Sequence, residues 1–319
     1  MTGKNILFIC GSLNQTTINY KIAQHLQDHH CFYTPYYSDG YIKWMVDRGF
    51  LDFTILGGRA KQRTLGFLEE NRLMIDDRGE AHEYDLVVTC SDLIIPRNIL
   101  NKNIILVQEG MTDPEDIRYY LTRTLGLPRY AANTAMTGLS HAYQKFCIAS
   151  EGYREVFMQK GVRQERLVVT GIPNFDNVRK YCDNDFPHKG YVLAATSHMR
   201  ETWKYENRKA FIRKAVRIAE EHHKPLIFKL HPNENFGRGV REVERYAPGA
   251  RVFTSGNTDH MIANCDIMIT RYSSVVLVAS ALGKKIYSDL DPEYLKKITP
   301  MQTGGTSAKK IADVCREYL

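Results

Sequence analysis

Long apolar runs, paired cysteines, a dinucleotide-binding fingerprint and metal-ligand histidine spacing are all missing from this 319-residue sequence. Its first apolar segment, Ile6-Leu7-Phe8-Ile9-Cys10, is far too short to span a bilayer, and it lacks the small-residue cleavage site of a signal peptide. The chain is therefore expected to stay in the cytoplasm. Seven cysteines stand singly and odd in number, with no C-x-x-C pair, so zinc ribbons and redox dithiols are excluded and buried reduced thiols are expected. His29, His30, His222 and His223 have no ligand spacing, so no metal site and no essential divalent ion are expected. No low-complexity tract or internal repeat occurs. Acidic residues are outnumbered, 36 against 43 Lys and Arg, which leaves a formal charge of +7. Such a surface favours nucleotides, phosphorylated acceptors or the peripheral contact of an anionic membrane. Nucleic acid is not expected as a partner, because no arginine-rich or aromatic recognition module accompanies the charge.

What is present is alternation. Asn5 to Cys10 reads as a strand, Gly11-Ser12-Leu13-Asn14 as a turn, and Thr16 to Leu26 as a helix. Further strands are expected at 52–56, 85–90, 103–108, 146–149 and 167–170, with helices at 115–125 and 152–160 between them. Strands alternating with helices predict parallel pairing. The polar stretch from Pro173 to Lys189 interrupts the pattern as a linker. A second α/β unit follows, with strands at 191–195, 225–230, 251–254, 265–270 and 284–288. The expected fold is α/β, with two Rossmann-like domains facing each other across a cleft. They cover residues 1–172 and 190–305, and an amphipathic helix over 306–319 crosses back to the first domain.

Two places suggest chemistry. Arg271-Tyr272-Ser273-Ser274 is a polar turn between an apolar strand and a helix. Hydroxyls and free N–H groups at a helix start can hold a phosphate, or the serines can simply be N-caps. Lys229-Leu230-His231-Pro232 closes another strand, so His231, fixed by Pro232, and Lys229 could offset charge as a phosphate leaves. Gly11 and Ser12, at the first turn, would let a sugar or phosphate approach the backbone. Acids at strand ends, Asp92 and Glu109, either act as proton acceptors or pair with nearby arginines.

These residues resemble those of the GT-B superfamily of nucleotide-sugar enzymes over nearly the full length. One branch is the UDP-N-acetylglucosamine 2-epimerases. The matching stretches are Thr89-Cys90-Ser91-Asp92, Val107-Gln108-Glu109-Gly110-Met111, Asp113-Pro114-Glu115-Asp116, Thr196-Ser197-His198-Met199-Arg200-Glu201, the His231-Pro232 pair and the Ser273 turn. This resemblance implies that Asp92, Glu109 and Glu115 shuttle a proton while His198 and Arg200 help the nucleotide leave, with Thr196 beside them. The other branch comprises the CDP-glycerol glycerophosphotransferases and the transferases of CMP-linked acidic sugars. Their Lys-x-His-Pro and Thr-Asp-Tyr-Ser-Ser turns are similar to Lys229-Leu230-His231-Pro232 and Thr270-Arg271-Tyr272-Ser273-Ser274. There Glu109, before Gly110, corresponds to the general base.

Arg271 stands where these families carry aspartate, and Leu277 and Val278 stand where an acid commonly holds the ribose. An aliphatic side chain cannot accept those hydroxyl bonds. The resemblance therefore implies a glycosyltransferase of surface-polysaccharide or glycoconjugate assembly, with a CMP-, CDP- or UDP-linked sugar as co-substrate and no other cofactor. Its acceptor would be a glycan or a lipid-linked molecule, and a homodimer is compatible with the family. A 2-epimerase and a catalytically silent nucleotide-sugar-binding relative are the alternatives.

Overall fold

A computed structural model describes residues 3–52, 54–197, 199–202 and 205–319. The chain forms two compact units. The first joins Met1–Asp176 to Pro300–Leu319, and the second is Asn177–Thr299. The changeover therefore falls at Asp176, and the return to the first unit begins at Pro300, ahead of the boundary at 306 expected from the sequence.

In the first unit β1 (Asn5–Cys10), α1 (Leu13–Ala23), β2 (His30–Pro35), α2 (Gly40–Asp47), α3 (Gly58–Glu70) and β3 (Met74–Ile75) make one half. The other half has β4 (Leu86–Thr89), β5 (Asn103–Val107), α4 (Ile117–Thr124), β6 (Lys145–Ile148), α5 (Glu151–Lys160) and β7 (Leu167–Val169). Among the described residues these strands make a seven-stranded sheet in the order β3-β2-β1-β4-β5-β6-β7, with each pairing parallel. The order reverses between β1 and β4, and in sheets of this kind ligands lie beyond the carboxyl ends at such a reversal. β1, β4 and β5 are almost wholly buried, which is why they read as unbroken apolar runs.

Among the described residues of 52–56 the expected strand does not form. Thr54 N–H bonds to the Leu51 carbonyl in a turn, and Gly57 packs against the Asp52 side chain. The strands that complete this side of the sheet are instead β2 and β3, with β3 at the edge. β2 is held by its register with β1, Leu7 opposite Phe32 and Phe8 opposite Tyr33, with the Phe8 and Tyr33 rings stacked.

The second unit contains β8 (Tyr191–Ala195), α6 (Arg208–Glu221), β9 (Leu226–Lys229), α7 (Phe236–Tyr246), β10 (Arg251–Phe253) and α8 (Thr258–Asn264). β11 (Cys265–Ile269), α9 (Val275–Ala281), β12 (Lys285–Tyr287) and α10 (Pro292–Ile298) complete it. Its described strands form a five-stranded parallel sheet ordered β10-β9-β8-β11-β12, with the reversal between β8 and β11. The core under it gathers Val192, Ala194, Ile212, Ala215, Phe228, Ile267 and Ile269.

The last helix, α11 (Ser307–Arg316), packs on α1 within the first unit. Its start is fixed by the Ser307 N–H donating to Asp176 Oδ2 at 2.8 Å. Gly171, with φ of 82°, leaves room for the Ser307 hydroxyl, and a β-carbon there would collide with it. Its end is tied by Arg316, which donates to the His25 carbonyl at 2.6 Å and to Asp28 at 3.0 Å.

Candidate functional site

The first unit places its chemistry where the sheet order reverses. β1 ends at Cys10, and Gly11-Ser12 turns the chain into α1. Ser12 Oγ caps that helix by accepting the Gln15 N–H at 3.3 Å. Ser12-Leu13-Asn14-Gln15 has the spacing of a capping box, whose glutamine would return to the Ser12 N–H. Gln15 instead reaches across and donates its amide Nε2 to Glu109 Oε2. A side chain on Gly11 would collide with the Gln15 amide, so glycine is required for this approach. Asn14 Nδ2 donates to the Glu109 carbonyl at 3.0 Å, so one helix start holds both the backbone and the carboxylate of Glu109. Thr64 braces the turn from α3 by donating to the Gly11 carbonyl at 2.7 Å.

Glu109 itself follows β5 and is half-buried. Burial pushes its carboxyl pKa above the usual range, against the opposing pull of the Gln15 hydrogen bond. A carboxyl poised in this way is suited to accept a proton from a hydroxyl.

The other first-unit acids expected from the sequence are placed differently. Asp92 is only 1% exposed. Its carboxylate accepts the Gly138 N–H at 3.0 Å and 3.1 Å and the Ser140 N–H at 3.0 Å, which fixes the turn before β6. These bonds give Asp92 a structural role, with both oxygens holding donors inside the core. Glu115 is exposed, with Tyr120 donating to it at 3.5 Å. Nothing in its surroundings draws it toward Glu109.

In the second unit a buried polar network lies at the carboxyl ends of β8 and β9. Glu234 is its centre. Its Oε1 accepts the Thr196 hydroxyl and, at 3.0 Å, the His231 N–H. Thr196 Oγ1 also accepts the His231 N–H at 3.1 Å. The turn is therefore locked from beneath by its own fourth residue. Asn233 N–H donates to His231 Nδ1 at 3.2 Å, so the neutral ring carries its proton on Nε2, as a hydrogen-bond donor. Below this turn Arg208 donates to Glu206 at 3.0 Å and to the Ser197 carbonyl at 2.9 Å, and it pairs with Glu234 at 2.9 Å.

Lys229, expected to offset phosphate charge, is buried and turned back, donating from Nζ to the Leu230 carbonyl at 2.9 Å. Burial lowers its pKa, while Glu234 opposes the shift. Pro232 is exposed. Arg200 forms a two-pronged pair with Glu242, at 2.7 Å and 2.8 Å, and Arg271 donates to Asp289 at 2.9 Å. Both arginines thus have their charge answered by a carboxylate of the same unit. His198 lies outside the described residues.

Arg271, Tyr272 and Ser273 are half-buried and Ser274 is exposed, beyond β11 at the second sheet's reversal. Ser274 makes no side-chain capping bond to α9, so its hydroxyl is not acting as an N-cap. Leu277 and Val278 are 1% and 2% exposed. Their positions on α9 face the core, so this helix register cannot carry a ribose-binding acid there without burying it.

Sequence reasoning therefore missed Gln15, Glu234 and Arg208. Gln15 had a signal in its S-x-x-Q spacing, and Glu234 in an acid three residues after His231. Arg208 had none, because its partners come from separate turns.

No family model and no curated relative matches the sequence. Solved structures do match over nearly all of the chain. The UDP-GlcNAc 2-epimerase from Neisseria meningitidis bound to UDP-GlcNAc is 13% identical, with a TM-score of 0.57, covering 98% of this chain and 100% of its own. The UDP-GlcNAc 2-epimerase from Methanocaldococcus jannaschii is also 13% identical, with a TM-score of 0.56 and coverage of 98% and 99%. A variant of the wall teichoic acid polymerase TagF is 13% identical, with a TM-score of 0.54 and coverage of 98% and 88%. At such identity the likeness speaks to architecture, and the two parallel sheets agree with it: the chain has the GT-B fold, built from two Rossmann-like domains.

Proposed function

We propose that this protein is a glycosyltransferase that uses a nucleotide-activated sugar as donor, with Glu109 as the base that deprotonates the acceptor hydroxyl. The observation that carries the reading is Glu109 itself. It is a half-buried carboxylate with a raised pKa, gripped by Gln15 and Asn14 where the first sheet reverses its order. The second unit supplies the donor side of the reading. His231, held in its locked turn, and the Tyr272-Ser273-Ser274 turn beyond β11 would hold the nucleotide phosphate and stabilise it as it leaves. The bound UDP-GlcNAc of the Neisseria neighbour supports a nucleotide-sugar ligand.

An epimerase remains the second reading because two of the neighbours cited are epimerases. A transferase is preferred on chemical grounds. Base-assisted transfer needs one carboxylate, whereas the epimerase set needs Asp92 and Glu115 as well. Asp92 is committed to three backbone contacts and Glu115 is exposed.

Calorimetry with CMP, CDP and UDP, followed by incubation with UDP-N-acetylglucosamine alone, tests the reading. The expected result is that one nucleotide binds, that donor alone is not epimerised, and that Glu109→Gln retains binding but loses turnover. Formation of N-acetylmannosamine, or of the epimeric nucleotide sugar, overturns the reading in favour of the isomerase. Failure to bind any nucleotide overturns the transferase reading and the silent nucleotide-sugar-binding relative together, because no donor is left; binding without any turnover leaves the silent relative.

A further inference from the structure

Glu109 is held by the start of α1, and α1 is held in turn by the stretch of chain that leaves the first unit. Gly171-Ile172-Pro173-Asn174-Phe175-Asp176 follows β7, and Asp176 is the last residue before the changeover. This exit stretch is pinned by the segment that leads into α11. Asp176 Oδ2 accepts the Ser307 N–H at 2.8 Å and the Thr303 hydroxyl at 3.0 Å, and the Asp176 carbonyl accepts the Gly304 N–H at 3.0 Å. The Phe175 carbonyl accepts the Gln302 amide at 2.7 Å. A side chain on this stretch therefore has a fixed base to reach from.

Asn174 reaches α1. Its Oδ1 accepts from Lys21 Nζ at 2.5 Å, and Lys21 also donates to the Pro173 carbonyl at 3.3 Å. Asn174 Nδ2 donates to the Asn14 side-chain Oδ1 at 2.8 Å, with the Thr17 hydroxyl at 2.9 Å and the Asn14 carbonyl at 3.1 Å as further acceptors. Asn14 Nδ2 then donates to the Glu109 carbonyl at 3.0 Å. A cation, two amides and a main-chain carbonyl thus stand in line.

The direction of this line is fixed at both ends, because a lysine ammonium can only donate and a carbonyl can only accept. Both amides must therefore face the same way, oxygen toward Lys21 and nitrogen toward Glu109. Turning either one over sets oxygen against oxygen or nitrogen against nitrogen. Asn14, Lys21 and Asn174 are all half-buried, where a mismatched polar pair costs more than it does in water. Helix capping does not account for the arrangement, since Ser12 already caps α1. A simple tie between the exit stretch and α1 needs only the Thr17 hydroxyl and the Asn14 carbonyl. The bond to Asn14 Oδ1 adds something else: it orients the amide that touches Glu109.

We infer that Asn174 and Lys21 are positioning residues for Glu109, acting through the Asn14 side chain. The inference rests on the transferase reading for what Glu109 does, and on hydrogen bonds within the first unit for how it is held. Gln15 grips the carboxylate, while this relay grips the main chain that carries it. The relay therefore sets where the base stands.

The test begins with nuclear magnetic resonance of the full chain carrying isotopically labelled asparagine, without donor or acceptor, the Asn14 side-chain amide being identified by its loss in Asn14→Ser. Lys21→Met keeps the aliphatic stem and removes the terminal donor. The Asn14 amide signals should shift, and their hydrogens should exchange with water roughly fivefold faster. Asn174→Asp keeps the acceptor for Lys21 and adds a charge pair, yet presents only oxygen to Asn14. It should turn the Asn14 amide over while melting no lower than Asn174→Ala. With the nucleotide sugar whose nucleotide binds in calorimetry, kcat of Asn174→Asp should fall about 10- to 100-fold at unchanged KM, further than in Asn174→Ala. Asn14 signals that do not move in Lys21→Met and Asn174→Asp overturn the inference. So does wild-type kcat in Asn174→Asp beside an inactive Glu109→Gln, or a loss of kcat that merely follows melting temperature across the variants. The resonance measurement needs no substrate, so its failure leaves the transferase reading standing. Full turnover in Glu109→Gln overturns that reading and the positioning role with it.

Discussion

Arg208→Met probes the physical basis of the second unit most sharply. Arg208 is 4% exposed, and the side chains of its partners Glu206 and Glu234 are each 1% exposed. One terminal nitrogen contacts both carboxylates and the Ser197 carbonyl at 2.9–3.0 Å. Methionine would keep the aliphatic stem in place and remove the charge. Two carboxylates would then be left in a low-dielectric interior. Glu206 would keep the more distant Arg200, at 3.7 Å, and the Ser197 hydroxyl, at 3.5 Å, and Glu234 would keep its Thr196 and His231 donors. Breaking a buried ion pair from one side costs about 3–5 kcal/mol. With a urea dependence of about 1–3 kcal/mol per molar, the unfolding midpoint of this unit should fall by more than about 1 M. Unfolding followed in urea measures this directly. Arg208→Met with Glu234→Gln removes one of the stranded charges and should recover part of the loss, which a double-mutant cycle would read as coupling. A single-variant loss below about 1 kcal/mol, the level of an exposed pair, would refute the claim that these charges are buried and mutually dependent.

Gln15→Leu removes the bond that holds the Glu109 carboxylate, so a pKa already raised by burial should rise further and the acid limb of the rate–pH profile should move to higher pH. In stability the sign follows from the same shift. A folded-state pKa above the unfolded one means the folded protein keeps this proton longer, so the Glu109 contribution falls as pH rises from the ordinary carboxylate range through the folded pKa. Glu109→Gln should flatten that dependence, as denaturant titrations at several pH values would show. Leu277→Glu places a carboxylate without a partner inside the core and should cost several kcal/mol; soluble protein with an unchanged melting temperature would contradict the inward register of α9. Native labelling with a thiol reagent should modify exposed Cys182 first, because burial pushes the Cys10, Cys147 and Cys265 thiols up to about 12. Mass spectrometry that finds Cys147 labelled as fast as Cys182 would count against the packing of β6.

The alternation of apolar strands with amphipathic helices was enough to expect two parallel sheets, because buried parallel strands must be apolar on both faces and so leave unbroken runs in the chain. Glu109 was legible for a related reason: an acid placed just after a buried strand, before a glycine, has few purely structural uses. β2 and β3 were not legible. His30–Pro35 carries histidine, threonine and proline and becomes a strand only through its pairing with β1, whereas 52–56 has strand-like composition and its described residues lie in turns and bends.

Which charged groups remain available for a ligand was likewise decided by tertiary structure alone. Arg200 meets Glu242, Arg271 meets Asp289, and Asp92 meets the Gly138 and Ser140 backbone, each across a loop whose closure no local pattern encodes. Local sequence therefore set the types of the buried central elements and put an acid just after β5. Packing set partner, burial and protonation, because those depend on groups far apart in the chain that meet only once both sheets have formed.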